Sequence, residues 1–357
     1  INSHTAVLAR TKGIPSVIGL GEALKKDYDG KTIIVDGYEG KIYIEPDYTT
    51  ITKMKERQST TKTKVMNLER LKGKENITQS GRRIDVCANI SSREDIENVL
   101  RSDAGGVGLF RSEFIYMENG LKMPTEDQQF QVYKFAAEAM GEKKVVIRTA
   151  DLGGDKVAEC LNLGEEANPA LGYRGIRVSL DKEEIYRTQL RAILRASAYG
   201  NIQIMLPLIT SVDEVKRAKL MIERAKRELK EEKTSFDEHI KVGVMIETPA
   251  AVMISGELAR EVDFFSIGTN DLTQFTLGMD RTNEKLDRYY NTHHPALLKM
   301  IRIVTNNVHL ENKHISICGD MAADLELTEF FIQLGVDELS VAPGQVLALR
   351  KKIREIQ

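Results

Sequence analysis

The stretch Phe264–Asn283, FFSIGTNDLTQFTLGMDRTN, joins a hydrophobic run to a helical pattern through a polar turn. The run Phe264–Ile267 is typical of a strand buried in a parallel sheet, so we expect Asn270 and Asp271 at its carboxyl end. Asp271 can ligate a hard cation, and Asn270 lies where a helix begins and its free backbone N–H groups face an anion. Arg281 follows within about three helical turns. The alternative is that one of the two polar side chains merely caps the helix.

The same alternation of strand, turn and helix recurs from Arg83 onward. Eight short runs rich in Val and Ile are separated by amphipathic segments, which favours a closed parallel barrel over an open sheet. We therefore predict the α/β class and a (β/α)8 TIM barrel over residues 80–357. The predicted strands are Ile84–Ala88, Val107–Phe110, Val145–Ile147, Ile202–Leu206, Val242–Ile246, Phe264–Ile267, Ile315–Ile317 and Leu339–Val341.

One helix of this pattern can be predicted in detail. Ser211 and Glu214 have the spacing of a capping box, in which each side chain accepts a hydrogen bond from the other residue's backbone N–H. The other face of the helix is charged and needs no partner. The inward stripe, at helical spacing, consists of Val215, Ala218, Ile222, Ala225 and Leu229.

Polar residues follow several of the predicted strands directly. In a barrel all the carboxyl ends of the strands share one face, so residues from distant parts of the chain converge there. These residues are Arg111 after the second strand, Arg148 after the third, Glu247 after the fifth, Asn270 and Asp271 after the sixth, and Cys318 after the seventh. The sequence therefore predicts a functional site at this face.

The side chains at this face could bind both a cation and an anion. Glu247 and Asp271 suffice for Mg²⁺ if substrate and waters complete an octahedron, although each alone could instead form a salt bridge with an Arg or Lys of the barrel. Three arginines offer rigid forks suited to phosphate or carboxylate oxygens, namely Arg111, Arg148 and Arg281. A single Arg is more often structural, whereas three beside two carboxylates favour a site for an anion with a metal.

Cys318 and His4 could supply the remaining chemistry. Cys318 alone is an ordinary buried thiol, but at a strand end within a pocket it could deliver a proton to carbon. His4 lies in a Ser-His-Thr sequence ahead of a helical pattern, where it could act as a nucleophile or be only a cap or surface residue. A small acid carrying phosphate would satisfy all of these groups. Metal and arginines would stabilise the enolate left when phosphate departs to the histidine, and the thiol would then protonate it.

The first part of the chain has a different pattern. Two strand-like runs, Thr32–Val35 and Ile42–Ile44, are joined by Asp-Gly and Glu-Gly turns, which predicts a hairpin. Residues 1–46 are therefore interpreted as the end of a small domain. Residues 47–79 repeat Lys, Glu and Thr with few apolar residues, which indicates an exposed connecting helix or linker.

Composition argues against several classes of protein. The formal net charge is −2, so there is no electrostatic case for binding nucleic acid or an anionic membrane. No apolar run approaches the roughly 20 residues needed to span a bilayer. The cysteines are few, lack metal-ligand spacing and suggest a reducing cytosol; they are Cys87, Cys160 and Cys318.

Several long stretches carry a family resemblance, namely SHTAVLAR, GVGLFRSEFIYM, IRTADLGGDK, NPALGYRGIR, IMLPLI, MIETPAA, FFSIGTNDLTQFTLGMDR and CGDMA. In this order, over essentially the whole chain, they resemble Enzyme I of the phosphoenolpyruvate:sugar phosphotransferase system, also called phosphoenolpyruvate–protein phosphotransferase. The resemblance implies that His4 is the phosphorylated histidine and Cys318 the proton donor. The implied Mg²⁺ ligands are Glu247 and Asp271. The implied phosphoenolpyruvate ligands are Arg111, Arg148, Arg281, Asn270 and Asp271.

The resemblance has further implications for the pocket, the partners and the length of the protein. Lys156 in GGDK and Arg174 in LGYR would help to line the pocket. Family members are cytoplasmic homodimers that dimerise through the barrel and pass the phosphoryl group to the histidine carrier protein HPr, the first step of the sugar phosphotransferase relay. They have more sequence before the phosphohistidine motif, and usually a further helix after the segment matching Val346–Gln357. The chain is expected to be a C-terminal portion, with residues 1–46 the remnant of the swivelling phosphohistidine domain.

Three alternatives share parts of this pattern. Pyruvate phosphate dikinase and phosphoenolpyruvate synthase use the same histidine and barrel, but they need an ATP-grasp domain that has no counterpart in this sequence. ATP-dependent labelling of His4 without phosphoenolpyruvate would favour them. A non-catalytic phosphoenolpyruvate-binding regulator would be expected to lose the nucleophile or the proton donor, whereas both His4 and Cys318 are present. An aldolase-like barrel using Mg²⁺ and pyruvate enolate would leave SHTAVLAR unexplained.

Overall fold

The structure is a computed structural model that describes residues 14–153, 159–161, 163–164 and 166–357. The chain forms two compact units, Ile1–Arg70 and Leu71–Gln357.

The smaller unit contains, within its described residues, a hairpin and one long helix. Strands β1 (Ile33–Asp36) and β2 (Lys41–Ile44) pair antiparallel, as the turn residues predict. Helix α1 (Tyr48–Glu69) begins after Asp47, whose side chain caps it, and none of its residues is buried. This helix lies within the segment that the sequence indicates to be an exposed helix or linker.

The larger unit is a closed barrel of eight parallel strands, which confirms the predicted fold class. Each strand pairs with its neighbours along the chain, and the last strand closes the ring by pairing with the first. The eight strands are β3 (Asp85–Ile90), β4 (Val107–Arg111), β5 (Val145–Arg148), β6 (Ile202–Leu206), β7 (Val242–Ile246), β8 (Phe264–Gly268), β9 (His314–Cys318) and β10 (Glu338–Val341). All eight predicted strands are confirmed, two of them with the predicted bounds and the others with ends that differ by at most two residues.

Helices cover the outside of the barrel because strands buried on both faces need an apolar layer on each side. The helices described in this unit are α2 (Asp95–Ser102), α3 (Glu113–Glu118), α4 (Glu126–Met140), α5 (Ile176–Asp181), α6 (Glu183–Ala196), α7 (Val212–Glu231), α8 (Pro249–Met253), α9 (Ser255–Ala259), α10 (Thr269–Leu277), α11 (Pro295–Leu310), α12 (Thr328–Leu334) and α13 (Val346–Glu355). No helix among the described residues has both the length and the apolarity that crossing a membrane requires.

Helix α7 confirms the detailed prediction. Ser211 and Glu214 form the capping box, each accepting a hydrogen bond from the other's backbone N–H. The five residues of the predicted stripe, and no others in the helix, are buried. Local sequence therefore sets both the start and the orientation of this helix.

The core has two parts. The larger joins the strands to the helices, and the smaller is a separate apolar cluster of six residues. Three members of the smaller cluster, Leu109, Met245 and Cys318, also line a cavity. The barrel thus presents an apolar surface to that cavity, beside the polar groups described next.

Candidate active site

A cavity of about 240 Å³ lies at the carboxyl ends of the barrel strands. It is lined by all six residues that the sequence predicts directly after the strands, and by Arg281 further along the chain. The lining residues are Leu109, Arg111, Arg148, Met245, Glu247, Gly268, Asn270, Asp271, Arg281, Cys318 and Gly319. Residues separated by up to about two hundred positions in the chain therefore share one small volume, as the barrel topology requires.

Helix α10 begins after Gly268 and has no side-chain cap. The capping interpretation of Asn270 and Asp271 is therefore wrong. The amide nitrogen of Asn270 donates to Asp320 Oδ2 at 3.1 Å, and its amide oxygen accepts the backbone N–H of Asp320 at 2.8 Å. These bonds tie the start of the helix to the short 3₁₀ helix Asp320–Ala323 after β9, while the carboxylate of Asp271 faces arginines.

Two arginines lie directly opposite each other on adjacent strands, Arg111 at the end of β4 and Arg148 at the end of β5. Burial lowers the pKa of Arg111, and the positive charge of Arg148 lowers it further. The Nε of Arg148 is buried and has no hydrogen-bond partner among the described residues. Like charges in register repel, and a buried donor without a partner is costly. An anion in the cavity would relieve both features.

The carboxylate of Glu247 is held by backbone on one side and faces Arg148 on the other. Its Oε1 accepts the N–H of Leu208 at 2.7 Å, and its Oε2 lies 3.9 Å from Arg148 Nη1. Leu208 has a φ of 51°, a left-handed conformation that is unusual for a branched side chain and is typical of functional sites. A Cβ at Gly268 would lie 2.9 Å from Oε2, so a larger residue there would displace this carboxylate.

Asp271 makes ion pairs on both oxygens and still lines the cavity. Its Oδ1 accepts Nη1 of Arg174 at 3.2 Å, and its Oδ2 lies 3.5 Å from Nη1 of Arg281. The salt-bridge and metal-ligand interpretations are therefore compatible for this residue. Only 5% of its surface is exposed, so any cation bound there would be largely screened from water.

The two carboxylates fit a divalent cation by their donor chemistry. Burial, and then the negative charges of Asp271 and Asp151, raise the pKa of Glu247 to about 7. A carboxylate whose ionisation is opposed by burial and by neighbouring negative charges is stabilised as an anion by a hard cation, which prefers carboxylate oxygens.

We expect Glu247→Gln to stabilise the metal-free protein at pH 8. The folded pKa of Glu247, about 7, lies above the ordinary value of 4.5. The contribution of Glu247 to the free energy of unfolding is therefore fully present below pH 4.5 and is lost as the pH rises through 7. The free energy of unfolding of the variant should exceed that of wild type by an amount on the order of 1–3 kcal/mol at pH 8, and this difference should disappear toward pH 4.5. Urea denaturation with a chelator at several pH values measures it. A variant less stable than wild type at pH 8 would contradict the prediction.

Cys318 ends strand β9 and is almost fully buried. Its Sγ accepts a hydrogen bond from Ser266 Oγ at 3.2 Å and lies 3.5 Å from the carbonyl oxygen of Ile267, to which it can donate. Burial raises its pKa to about 11, so the thiol is protonated at neutral pH. A protonated thiol at the cavity wall has what a proton donor needs.

Three predicted residues are not placed at the cavity wall. His4 and Lys156 lie outside the described residues, so their roles stay predictions. Arg174 is fully buried and is not among the lining residues described. Its Nη1 donates to Asp271, which lines the cavity. Arg174 is therefore connected to the pocket through that carboxylate and does not itself form part of the described wall.

The sequence interpretation missed two buried carboxylates, Glu113 and Asp151. Glu113 Oε1 accepts two hydrogen bonds, one from Nη2 of Arg148 and one from the backbone N–H of Asp151, each at 2.8 Å. Asp151 pairs with Arg174. Their position in the sequence could have indicated them, because each carboxylate follows a predicted site arginine by two or three residues, in RSEF and in RTAD.

Fold and site together define an α/β-barrel protein with a cavity that is lined by three arginines and two carboxylates. A family model described as "PEP-utilising enzyme, PEP-binding domain" matches residues 65–357, and one described as "PEP-utilising enzyme, mobile domain" matches residues 1–40. The chain belongs to the PEP-utilising enzyme family.

Several curated relatives are named phosphoenolpyruvate-protein phosphotransferase. The relative from Haemophilus influenzae is 42% identical over 99% of this chain and 61% of its own length. The relative from Bacillus subtilis is 40% identical over 99% of this chain and 62% of its own length. The chain thus spans about three-fifths of the length of the relatives it matches.

Proposed function

We propose that the chain transfers the phosphoryl group of phosphoenolpyruvate to His4 and releases pyruvate. The observation that carries the proposal is the convergence of three arginines, two carboxylates and a protonated thiol on one cavity. The names of the relatives support the same reaction. We propose Mg²⁺ as the divalent cation, held by Glu247 and Asp271.

The arrangement suits binding of the phosphate and carboxylate groups of phosphoenolpyruvate. Arg111 and Arg148 lie in register on adjacent strands, Arg281 Nη1 lies 3.5 Å from Asp271 Oδ2, and all three arginines line the cavity. Guanidinium forks match phosphate and carboxylate oxygens in geometry and charge. The proposed Mg²⁺, when bound, would supply further positive charge to the phosphoryl and enolate oxygens. The Asn270 amide, tied to Asp320, lies at the same wall and could donate to the substrate.

Two covalent changes complete the proposed reaction. The bond between phosphorus and the enol oxygen breaks as a bond forms between phosphorus and an imidazole nitrogen of His4, which leaves the enolate of pyruvate. The S–H of Cys318 then gives its proton to the methylene carbon, which becomes the methyl group of pyruvate. The thiolate recovers a proton from water. The arginines stabilise the negative charge that develops on the enolate oxygen.

Incubation with phosphoenolpyruvate labelled with ³²P tests the proposal. We expect one acid-labile phosphoryl group on His4, mapped by mass spectrometry, and one pyruvate released for each group transferred. The matched control His4→Gln keeps the cavity intact and should bind phosphoenolpyruvate without accepting label. Folded protein that yields neither label nor pyruvate would contradict the proposal, and label from ATP alone would favour a dikinase or synthase.

We also propose the wider role implied by the resemblance. The phosphoryl group would pass from His4 to HPr, as the first step of sugar uptake, in a cytoplasmic protein that dimerises through the barrel. The proposed division is residues 1–46 for the end of the phosphohistidine domain, 47–79 for the linker and 80–357 for the barrel. Transfer of label from His4 to added HPr tests the first partner. The mass in solution, measured by light scattering, tests whether a second copy of the chain is the other.

A further inference from the structure

Asp151 lies between two buried arginines, and it is not among the residues that line the cavity. Its carboxylate is fully buried and makes two bonds to Arg174, from Nε at 3.3 Å and from Nη2 at 2.8 Å. Its Oδ2 also lies 3.6 Å from Nη2 of Arg148. Buried charges of this kind are stable only when opposite charges balance them, so Asp151 offsets positive charge on both arginines.

The same two arginines approach the two proposed metal ligands. Arg148 Nη1 lies 3.9 Å from Glu247 Oε2, and Arg174 Nη1 donates to Asp271 Oδ1 at 3.2 Å. A guanidinium that has only one carboxylate to balance it would bind that carboxylate more strongly. A cation would then have to compete with a buried arginine for the same oxygens. Asp151 weakens this competition because it engages Arg174 on two nitrogens, Nε and Nη2.

We propose that Asp151 is a positioning residue that keeps Glu247 and Asp271 available to a divalent cation by taking up the charge of Arg148 and Arg174. The inference rests on the proposed function only in taking these two carboxylates as metal ligands. Asp151 does not touch the cation. It acts through the arginines.

Glu113 limits the effect on one side of the site. Its Oε1 accepts Nη2 of Arg148 at 2.8 Å, so Arg148 keeps a carboxylate partner when the charge of Asp151 is removed. Arg174, in contrast, bonds to Asp151 and Asp271. Loss of the Asp151 charge therefore acts mainly on Asp271.

The test is Mg²⁺ binding to the whole chain, measured by calorimetry without substrate. Asp151→Asn keeps the size of the side chain and removes its charge, and we expect the Kd to rise about 10–100-fold, as for other groups that orient metal ligands. Adding Arg174→Gln to this variant removes the competing guanidinium. We expect the Kd of the double variant to return to within about tenfold of wild type, which loss of packing alone would not produce.

Glu311→Gln is the matched control, because it also removes one carboxylate, here an exposed partner of Arg260, and is expected to leave the Kd unchanged. Equal Kd values for wild type and Asp151→Asn would overturn the positioning role and leave the proposed function standing. Wild type that binds no Mg²⁺ would overturn the positioning role, whereas phosphoryl transfer to His4 is tested separately by the label from phosphoenolpyruvate. If Asp151→Asn does not fold, the double variant decides, and a Kd more than tenfold above wild type in folded protein overturns the proposal.

Discussion

Replacing Arg111 by methionine is expected to lower kcat/KM for phosphoenolpyruvate by about a thousandfold, the order found when an arginine that stabilises phosphoryl transfer is removed. The melting temperature should stay unchanged or rise. Arg111 makes one side-chain hydrogen bond, to Ser91 at 3.3 Å, and no ion pair with a carboxylate among the described residues. It lies opposite Arg148, so its removal relieves repulsion in the protein while it deprives the bound anion of a guanidinium.

Arg148→Met provides the contrast. This arginine pairs with buried Glu113, so its loss should abolish activity and also destabilise the fold, by about 3–5 kcal/mol. Pyruvate release coupled to lactate dehydrogenase measures turnover, and calorimetry measures stability. If Arg111→Met loses as much stability as Arg148→Met, or turns over normally, Arg111 is a structural residue.

Replacing Cys318 by alanine is expected to leave binding of phosphoenolpyruvate intact and to slow pyruvate formation by about 10²–10⁴-fold, the usual contribution of a general acid. The thiol is protonated at neutral pH because burial raises its pKa to about 11. Among the described residues its side chain bonds to Ser266 and to the carbonyl oxygen of Ile267, and to none of the arginines. Its removal therefore affects the protonation step.

Calorimetric titration with phosphoenolpyruvate and rapid-quench measurement of pyruvate separate the two steps. Cys160→Ala is the matched control, since it removes a partly buried thiol that does not line the described cavity, and it should leave both measurements unchanged. Normal pyruvate formation in Cys318→Ala would show that Cys318 is an inert core thiol. A large loss of substrate affinity would show instead that it shapes the binding site.

The barrel and its functional face could be predicted from sequence because their signals are local. A run such as Val242–Ile246 indicates a strand by its own composition, and all five residues are buried as a strand covered on both faces requires. Once eight such strands are assigned, closure places the residue after each one at a single face. Arg111, Glu247 and Cys318 were found in this way.

The role of Asn270 and Asp271 could not be decided locally. From the sequence alone, a polar residue at the start of a helix can be either a helix cap or a ligand. The structure excludes the cap, because the helix begins after Gly268 and no side chain caps it. Roles for His4 and Lys156 still rest on sequence.

The sequence by itself determined the order of strands and helices, and the strand ends to within two residues, because hydrophobic periodicity is a property of neighbouring residues. Only the tertiary structure decided which charges pair. Arg174 reaches Asp271 across 97 positions of the chain, and Asp151 stands between two arginines. The pKa values of Glu247 and Cys318 also depend on burial that the fold creates. Ion pairing and desolvation depend on distances in space, and those are set when the barrel closes.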